Sequence, residues 1–120
     1  MYNIIIYEDK NGQSEVKDYI EKLKQKESKD WWIKFKKIIS YIRMLKEEGL
    51  NLREPYIKHI ENNIWELRPL RDRILFAYYD KNTFILLNVF MKYTQKTPRR
   101  EIEKAKKYLK DYMFRRDENG

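Results

Sequence analysis

Four cations fall near the ends of short strands or just before the last helix: Arg68 in "WELRPL", Arg73 heading "RILFAYYD", Lys92 closing "FILLNVFMK", and Lys96 just before "TP". Arg68 and Arg73 flank one tight connection, so antiparallel pairing brings them toward the same end of a sheet. Lys92 can lie across the adjacent strand, in a register that the sequence does not reveal. Paired arginine N–H groups hold a phosphate, and crowded cations lower a lysine's pKa toward that of a working base. RNA needs little more to be cut, because its own 2′-OH can attack the adjacent phosphorus. A protein must take up that proton, stabilise the added negative charge and protonate the leaving oxygen. On spacing alone, the simpler reading of Arg68, Arg73 and Lys92 is charge that discourages edge-to-edge sheet pairing.

Other chemistries find few residues to use. The chain has no cysteine and one histidine, His59, which removes disulfides, thiolate zinc sites, Cys-His nucleophiles and multi-histidine metal centres. None of the three glycines belongs to a phosphate-binding loop. No metal or cofactor is expected. His59 reads as a structural or exposed strand residue. The carboxylate pairs Glu47–Glu48 and Glu101/Glu103 read as solvated charges on helix surfaces among lysines. Tyr78, Tyr79 and Tyr93 read first as packing residues, although any of them can stack on a base. Trp31 and Trp32 read as packing a helix hairpin. The basic stretch headed by Arg99 and Arg100 meets either RNA or water.

With 42% hydrophobic and 15% aromatic residues in 120, the chain is expected to fold as one domain over 1–120 despite 38% charge. Lys and Arg number 27 against 19 Asp and Glu, a net charge of +8. That excess fits a polyanionic partner, nucleic acid first, and fits ordinary surface solubility equally well. "MYNIIIYEDK" has neither a basic leader nor a cleavage site, and no run is long enough for a membrane span. A reduced, cytoplasmic protein without membrane contact is expected.

Periodicity supplies the elements that would position the cations. A strand is expected over Asn3 to Asp9, with a turn at "KNG". Ser14 caps a helix presenting Val16, Tyr19, Ile20 and Leu23. A second helix from about Asp30 carries Trp32, Phe35, Ile38, Ile39, Ile42 and Leu45 and stops at Gly49. Four short strands follow, Tyr56 to Ile60, Ile64 to Leu70, Arg73 to Asp80 and Phe84 to Lys92, and their brief connections demand an antiparallel meander. Thr97 is expected to cap a last helix with Pro98 at its first position. Ile102, Ala105, Leu109, Tyr112 and Met113 form its stripe.

The C-terminal half also resembles the HigB-like, phage-derived branch of the RelE/ParE toxin superfamily. The resemblance rests on Glu66-Leu67-Arg68, Arg73-Ile74-Leu75, Phe90-Met91-Lys92, Lys96-Thr97-Pro98, and Glu101-Ile102 with Ala105. It implies an α+β, RelE-like fold: an antiparallel-rich sheet, two N-terminal helices packed on it, and a C-terminal helix. It implies the toxin of a type II toxin–antitoxin system, a ribosome-dependent mRNA endonuclease that cleaves through the 2′-OH without a metal. Arg68 and Arg73 would stabilise the scissile phosphate, and Lys92 would be a phosphate contact or the base. Lys96 would touch mRNA or ribosomal RNA, with Tyr93, Arg99 and Arg100 as further RNA contacts. The implied partner is a HigA-like antitoxin with a helix-turn-helix domain, through which alone the toxin would meet operator DNA. The family's usual "K-K" after the phenylalanine is here Met91-Lys92-Tyr93, so the general acid and base stay unassigned. ParE-like members share the fold but poison DNA gyrase, and a basic nucleic-acid-binding module without catalysis is the third reading.

Overall fold

A computed structural model describes residues 1–119 and shows an α+β fold of the RelE kind, in the expected order β-α-α-β-β-β-β-α. β1 (Asn3–Ile6) leads into α1 (Glu15–Gln25) and α2 (Lys29–Glu48), and a short 3₁₀ turn (Gly49–Leu52) follows. Then come β2 (Ile57–Glu61), β3 (Ile64–Leu67), β4 (Asp72–Tyr79), β5 (Thr83–Met91) and α3 (Arg99–Asn119). No helix among the described residues is long and apolar enough to cross a membrane.

The strands make one sheet in the order β1-β5-β4-β3-β2. β2 through β5 are antiparallel neighbours, as their tight connections require. β1 lies parallel to β5, pairing Ile4 with Phe84 and Ile6 with Leu86. Its ladder stops at Ile6 rather than running to Asp9. Beyond it, the Asp9 carboxylate accepts from the N–H groups of Asn11 and Gln13, at 2.8 and 2.9 Å, closing a turn. Gly12 completes that turn at φ 77°, a left-handed conformation suited to glycine.

Helices cover both faces. Val16, Leu23, Ile38 and Leu45 of α1 and α2 pack on Ile57, Leu67, Ile74, Phe76, Phe84 and Leu86. Ala105 and Leu109 of α3 pack on Ile64, Leu75, Ala77, Ile85 and Leu87. Burial on two sides explains why β4 and β5 read as continuous apolar runs instead of alternating ones. Ser14 caps α1 by accepting from the Lys17 N–H at 3.2 Å. α2 ends at Gly49, whose N–H bonds the Leu45 carbonyl, and an added Cβ there would lie 2.5 Å from the Tyr2 ring.

The α2 stripe is led by Trp31 rather than Trp32: Trp31 packs with Phe35 and Ile42, whereas Trp32 is exposed and stacks on Phe35. A helical step of three or four from Trp31 reaches Phe35, Ile38, Ile42 and Leu45, and Trp32 is one position out of that phase. Met113 is similarly exposed, one place beyond Tyr112, which packs against Tyr79.

Three local features set up the sheet end that carries the cations. First, Leu75 pairs with Asn88 but Phe76 with Leu86, so Leu87 is an extra, bulged residue. The bulge reverses the alternation of β5, and Asn88 and Phe90 thereby join Leu87 on the α3 side. Second, β3 stops at Leu67 rather than Leu70, because Pro69 has no N–H for a ladder and Leu70 turns to φ 56°. Third, α3 begins at Arg99, and the Pro98 carbonyl accepts from Glu101 and Ile102, so Pro98 stands one place earlier than expected.

Candidate active site

Ile64, Glu66 and Arg68 share a phase on β3 and its extension, and Arg73, Leu75 and Ala77 share one on β4. Ile64, Leu75 and Ala77 lie under α3, so Glu66, Arg68 and Arg73 belong to the same face, beyond the helix start. Arg73 pairs with Phe90 across β4 and β5. The structure therefore brings together two arginines that the sequence placed only near one turn.

They meet over a buried carboxylate. Glu66 is 2% exposed, and its Oε1 lies 3.3 Å from Arg68 Nε and 3.8 Å from Arg73 Nε. The first contact is within ion-pair distance but outside hydrogen-bond geometry, leaving the buried Arg68 Nε–H without an acceptor among the described residues. Arg73 is itself buried, and its Nη1 donates to the carbonyls of Leu70 and Asp72, both at 2.9 Å. Burial and the neighbouring Arg68 charge pull the Arg73 guanidinium below its ordinary pKa, against the raising effects of Glu66 and Asp72. A bound anion would relieve that unfavourable balance.

Lys92 adjoins both arginines. It lines a narrow crevice with Glu66, Arg68, Arg73 and Thr97, and a depression of about 280 Å³ with Leu70, Arg71, Arg73 and Tyr93. Its backbone is fixed from across the sheet end: Lys92 N donates to the Arg71 carbonyl at 2.8 Å, and Arg71 Nη2 donates to the Lys92 carbonyl at 3.1 Å. Tyr93 is 82% exposed and does not pack, unlike Tyr78 and Tyr79, whose rings contact Phe84 and Tyr112. Lys96 is exposed and lines both the crevice and an adjoining depression of about 700 Å³ beside β2 and the start of α3. Among the described residues, Arg71, Lys92 and Lys96 form no ion pair, so their charge is available.

Arg99 and Arg100 stand apart from the crevice. Arg99 spends its fork on Glu61, at 2.7 and 2.8 Å, and Arg100 is exposed with Glu101 at 3.8 Å. His59 is exposed on β2, its Nε2 bonding the Asn62 carbonyl at 2.7 Å and its ring resting on Trp65, as a structural strand residue would.

Two expectations are corrected. Thr97 does not cap α3, because the helix begins at Arg99 and Pro98 holds the cap position, one place beyond Thr97; the Thr97 hydroxyl donates instead to the buried Glu66 Oε2 at 2.7 Å. Glu101 is not a solvated surface charge. It is 6% exposed and accepts from the Asn88 amide at 3.0 Å, whereas Glu103 remains exposed and paired with Arg99 and Lys106.

Sequence reasoning missed Arg71 and the placement of Glu66. The signal for Glu66 was a carboxylate two residues from Ile64, in phase with the apolar face of its strand. The family model described as Phage derived protein Gp49-like (DUF891) matches residues 18–110, a span that includes every member of the crevice. No curated protein matches the chain.

Proposed function

The chain belongs to the Gp49-like phage-derived family, a RelE/HigB-like toxin family, and on that premise we propose that it is a toxin that cleaves mRNA on the ribosome. The observation that carries this reading is the convergence of Arg68, Arg73 and Lys92 on one crevice with unpaired cationic charge at its rim. In the proposed reaction the 2′-oxygen of a ribose forms a bond to the adjacent phosphorus, and the bond from phosphorus to the 5′-oxygen breaks. The products are a 2′,3′-cyclic phosphate and a 5′-hydroxyl; the 2′ proton is lost and the leaving 5′-oxygen gains one. Negative charge builds on the non-bridging oxygens, and preorganised guanidinium donors stabilise that charge more than they stabilise the ground state.

Arg73 is suited to this because its fork is already divided. Nη1 holds the turn, Nε points to Glu66, and Nη2 remains for a phosphate oxygen. Arg68 supplies the second guanidinium and Lys92 the third cation. Tyr93, exposed at the rim, offers a face on which a base stacks. Lys96, and at greater distance Arg100, contact RNA backbone on either mRNA or ribosome. An antitoxin that masks the crevice is the partner this activity requires in the cell.

The test is inducible expression in a bacterium of wild type beside Arg73→Ala, with mRNA 5′ ends mapped within minutes. New 5′-hydroxyl ends inside translated frames, absent with the variant, are expected. Growth arrest without such ends would overturn the nuclease reading and direct attention to DNA gyrase.

A further inference from the structure

A site for an anionic phosphodiester should be free of fixed negative charge, yet a carboxylate lies buried at the centre of this one. Glu66 touches nothing it could cleave: it is 2% exposed, and its oxygens face Arg68, Arg73 and Thr97. Its ion pairs fall on one side of each guanidinium. Oε1 addresses the Nε of both arginines, which is the stem side of each guanidinium. The Leu70 and Asp72 carbonyls take Nη1 of Arg73. Apart from the buried Arg68 Nε–H, which has no acceptor among the described residues, the donors left over are Nη2 of Arg73 and the outer Nη groups of Arg68, at the ends of the side chains. Oε2 meanwhile holds the Thr97 hydroxyl at 2.7 Å, tying down the segment between β5 and α3 that carries Lys92, Tyr93 and Lys96.

We propose that Glu66 is a positioning residue, which holds Arg68 and Arg73 with their outer N–H groups turned to one phosphodiester and tethers the Lys92–Lys96 segment beside them through Thr97. This rests on reading the crevice as a phosphodiester site. The charge balance is consistent: two guanidiniums over one carboxylate leave a net positive pair, matched to a monoanionic phosphodiester. Removing the carboxylate would leave two guanidiniums to repel each other at close range. A neutral glutamine could still accept from Thr97, but it would set N–H groups or a weak dipole against the arginines.

The experiment compares wild type with Glu66→Gln and Thr97→Val. Two measurements are made: single-turnover cleavage of ribosome-bound mRNA, and the arginine Nε–H signals of the isolated ¹⁵N-labelled protein. Glu66→Gln should cut at least about tenfold more slowly, as expected for misplaced transition-state donors. It should bind an uncleavable mRNA, 2′-deoxy at the cut site, at least as tightly as wild type, because a negative charge has gone. A merely structural role would instead weaken binding and turnover together, in proportion to the unfolded fraction, and that result would overturn the proposal. So would turnover within about twofold of wild type.

The Nε–H signals decide the matter without cleavage. Distinct, slowly exchanging signals for Arg68 and Arg73 in wild type, collapsing toward free arginine in Glu66→Gln, are expected. Wild-type signals that already exchange like free arginine would refute the positioning. A wild type that cuts no RNA defeats the nuclease reading alone, and these signals still judge Glu66. Thr97→Val should slow cleavage while both signals persist; full activity in that variant would remove the tether from the proposal. Because Thr97→Val keeps the carboxylate pairings, it remains informative if Glu66→Gln fails to fold.

Discussion

Replacing Arg73 with lysine separates charge from geometry at the centre of the crevice. A guanidinium has five N–H donors in a planar fork. In Arg73, Nη1 serves the Leu70 and Asp72 carbonyls at 2.9 Å each and Nε faces Glu66 at 3.8 Å, so Nη2 alone is left for a ligand. Lysine keeps the positive charge and three donors but gathers them on one atom, which cannot sit at the two carbonyls and at the separate Nη2 position facing a phosphate at once. Loss of one transition-state donor of this kind costs about 2.7–4 kcal/mol, or roughly 100- to 1000-fold in turnover. Substrate affinity should move little, since the charge is kept. Stability should also fall, by the two lost carbonyl bonds at about 0.5–1.5 kcal/mol each. The turn is partly open, with Leu70 48% exposed, so water replaces some of that. A net loss of about 1–2 kcal/mol, or roughly 5 °C in Tm, is the expected outcome. The assay is a translating extract in which wild type and Arg73→Lys are compared at saturating enzyme by 5′-end mapping, beside a thermal melt. Turnover within about threefold of wild type would show that charge suffices and would refute the division of the fork.

Tyr93→Ala removes an exposed ring, so its melt should stay within about 0.5 kcal/mol of wild type, while loss of base stacking worth about 1–3 kcal/mol slows mRNA cleavage; unchanged cleavage would take Tyr93 out of the site. Asn88→Asp places a second carboxylate against Glu101, where Asn88 Nδ2 now donates at 3.0 Å. Thermal melts should show a loss of about 3–5 kcal/mol near neutral pH, recovering as acid protonates the pair; a neutral-pH melt like wild type would contradict this. Alkali provides the fourth check. Burial first, and then the Asp111 carboxylate that its hydroxyl binds, push Tyr7 from 10.0 up to about 12. Burial and the carboxylates of Asp72 and Glu15 push Tyr19 and Tyr108 upward too. A raised phenol favours the folded state: its contribution is complete below about pH 10 and is lost as pH climbs toward 12. Phenolate absorbance should therefore show Tyr7, Tyr19 and Tyr108 ionising late, with unfolding; all ten tyrosines titrating together while the fold persists would contradict the burial.

The parts of the fold that were legible are those held by short-range physics. The amphipathic stripes of α1 and α2, the Ser14 cap and the Gly49 stop depend on neighbours within a turn or two, and all are present, with Trp31 in place of Trp32 at the head of α2. The meander from β2 to β5 was equally secure, because its connections leave no room for a crossover. β1 was legible as a strand but not as the parallel neighbour of β5, since that pairing joins Ile4 to Phe84 across most of the chain. The side of the sheet taken by α3 was hidden for the same reason: β4 and β5 are apolar on both faces, so they give no hint of which helix covers which.

The site turned on parity, which composition does not reveal. In a regular strand Asn88 and Phe90 would face α1 and α2 with Phe84 and Leu86, and Lys92 would follow them away from the arginines. Leu87, bulged opposite the Leu75–Phe76 step, reverses that alternation and keeps Asn88, Phe90 and the Lys92 crevice on the α3 side. No glycine or proline marks the bulge; "ILLNVF" reads as an ordinary strand. Asn88 is its one trace, an amide in an apolar run that makes sense only once Glu101 is there to accept from it. The same logic applies to Glu66. A carboxylate in phase with Ile64 and Leu75 does not belong in the core unless cations come to meet it, and of the two arginines that do so Arg73 comes from the far side of a turn. Polar residues in apolar phase were therefore better pointers to this site than the cations themselves, whose surface roles are so much commoner.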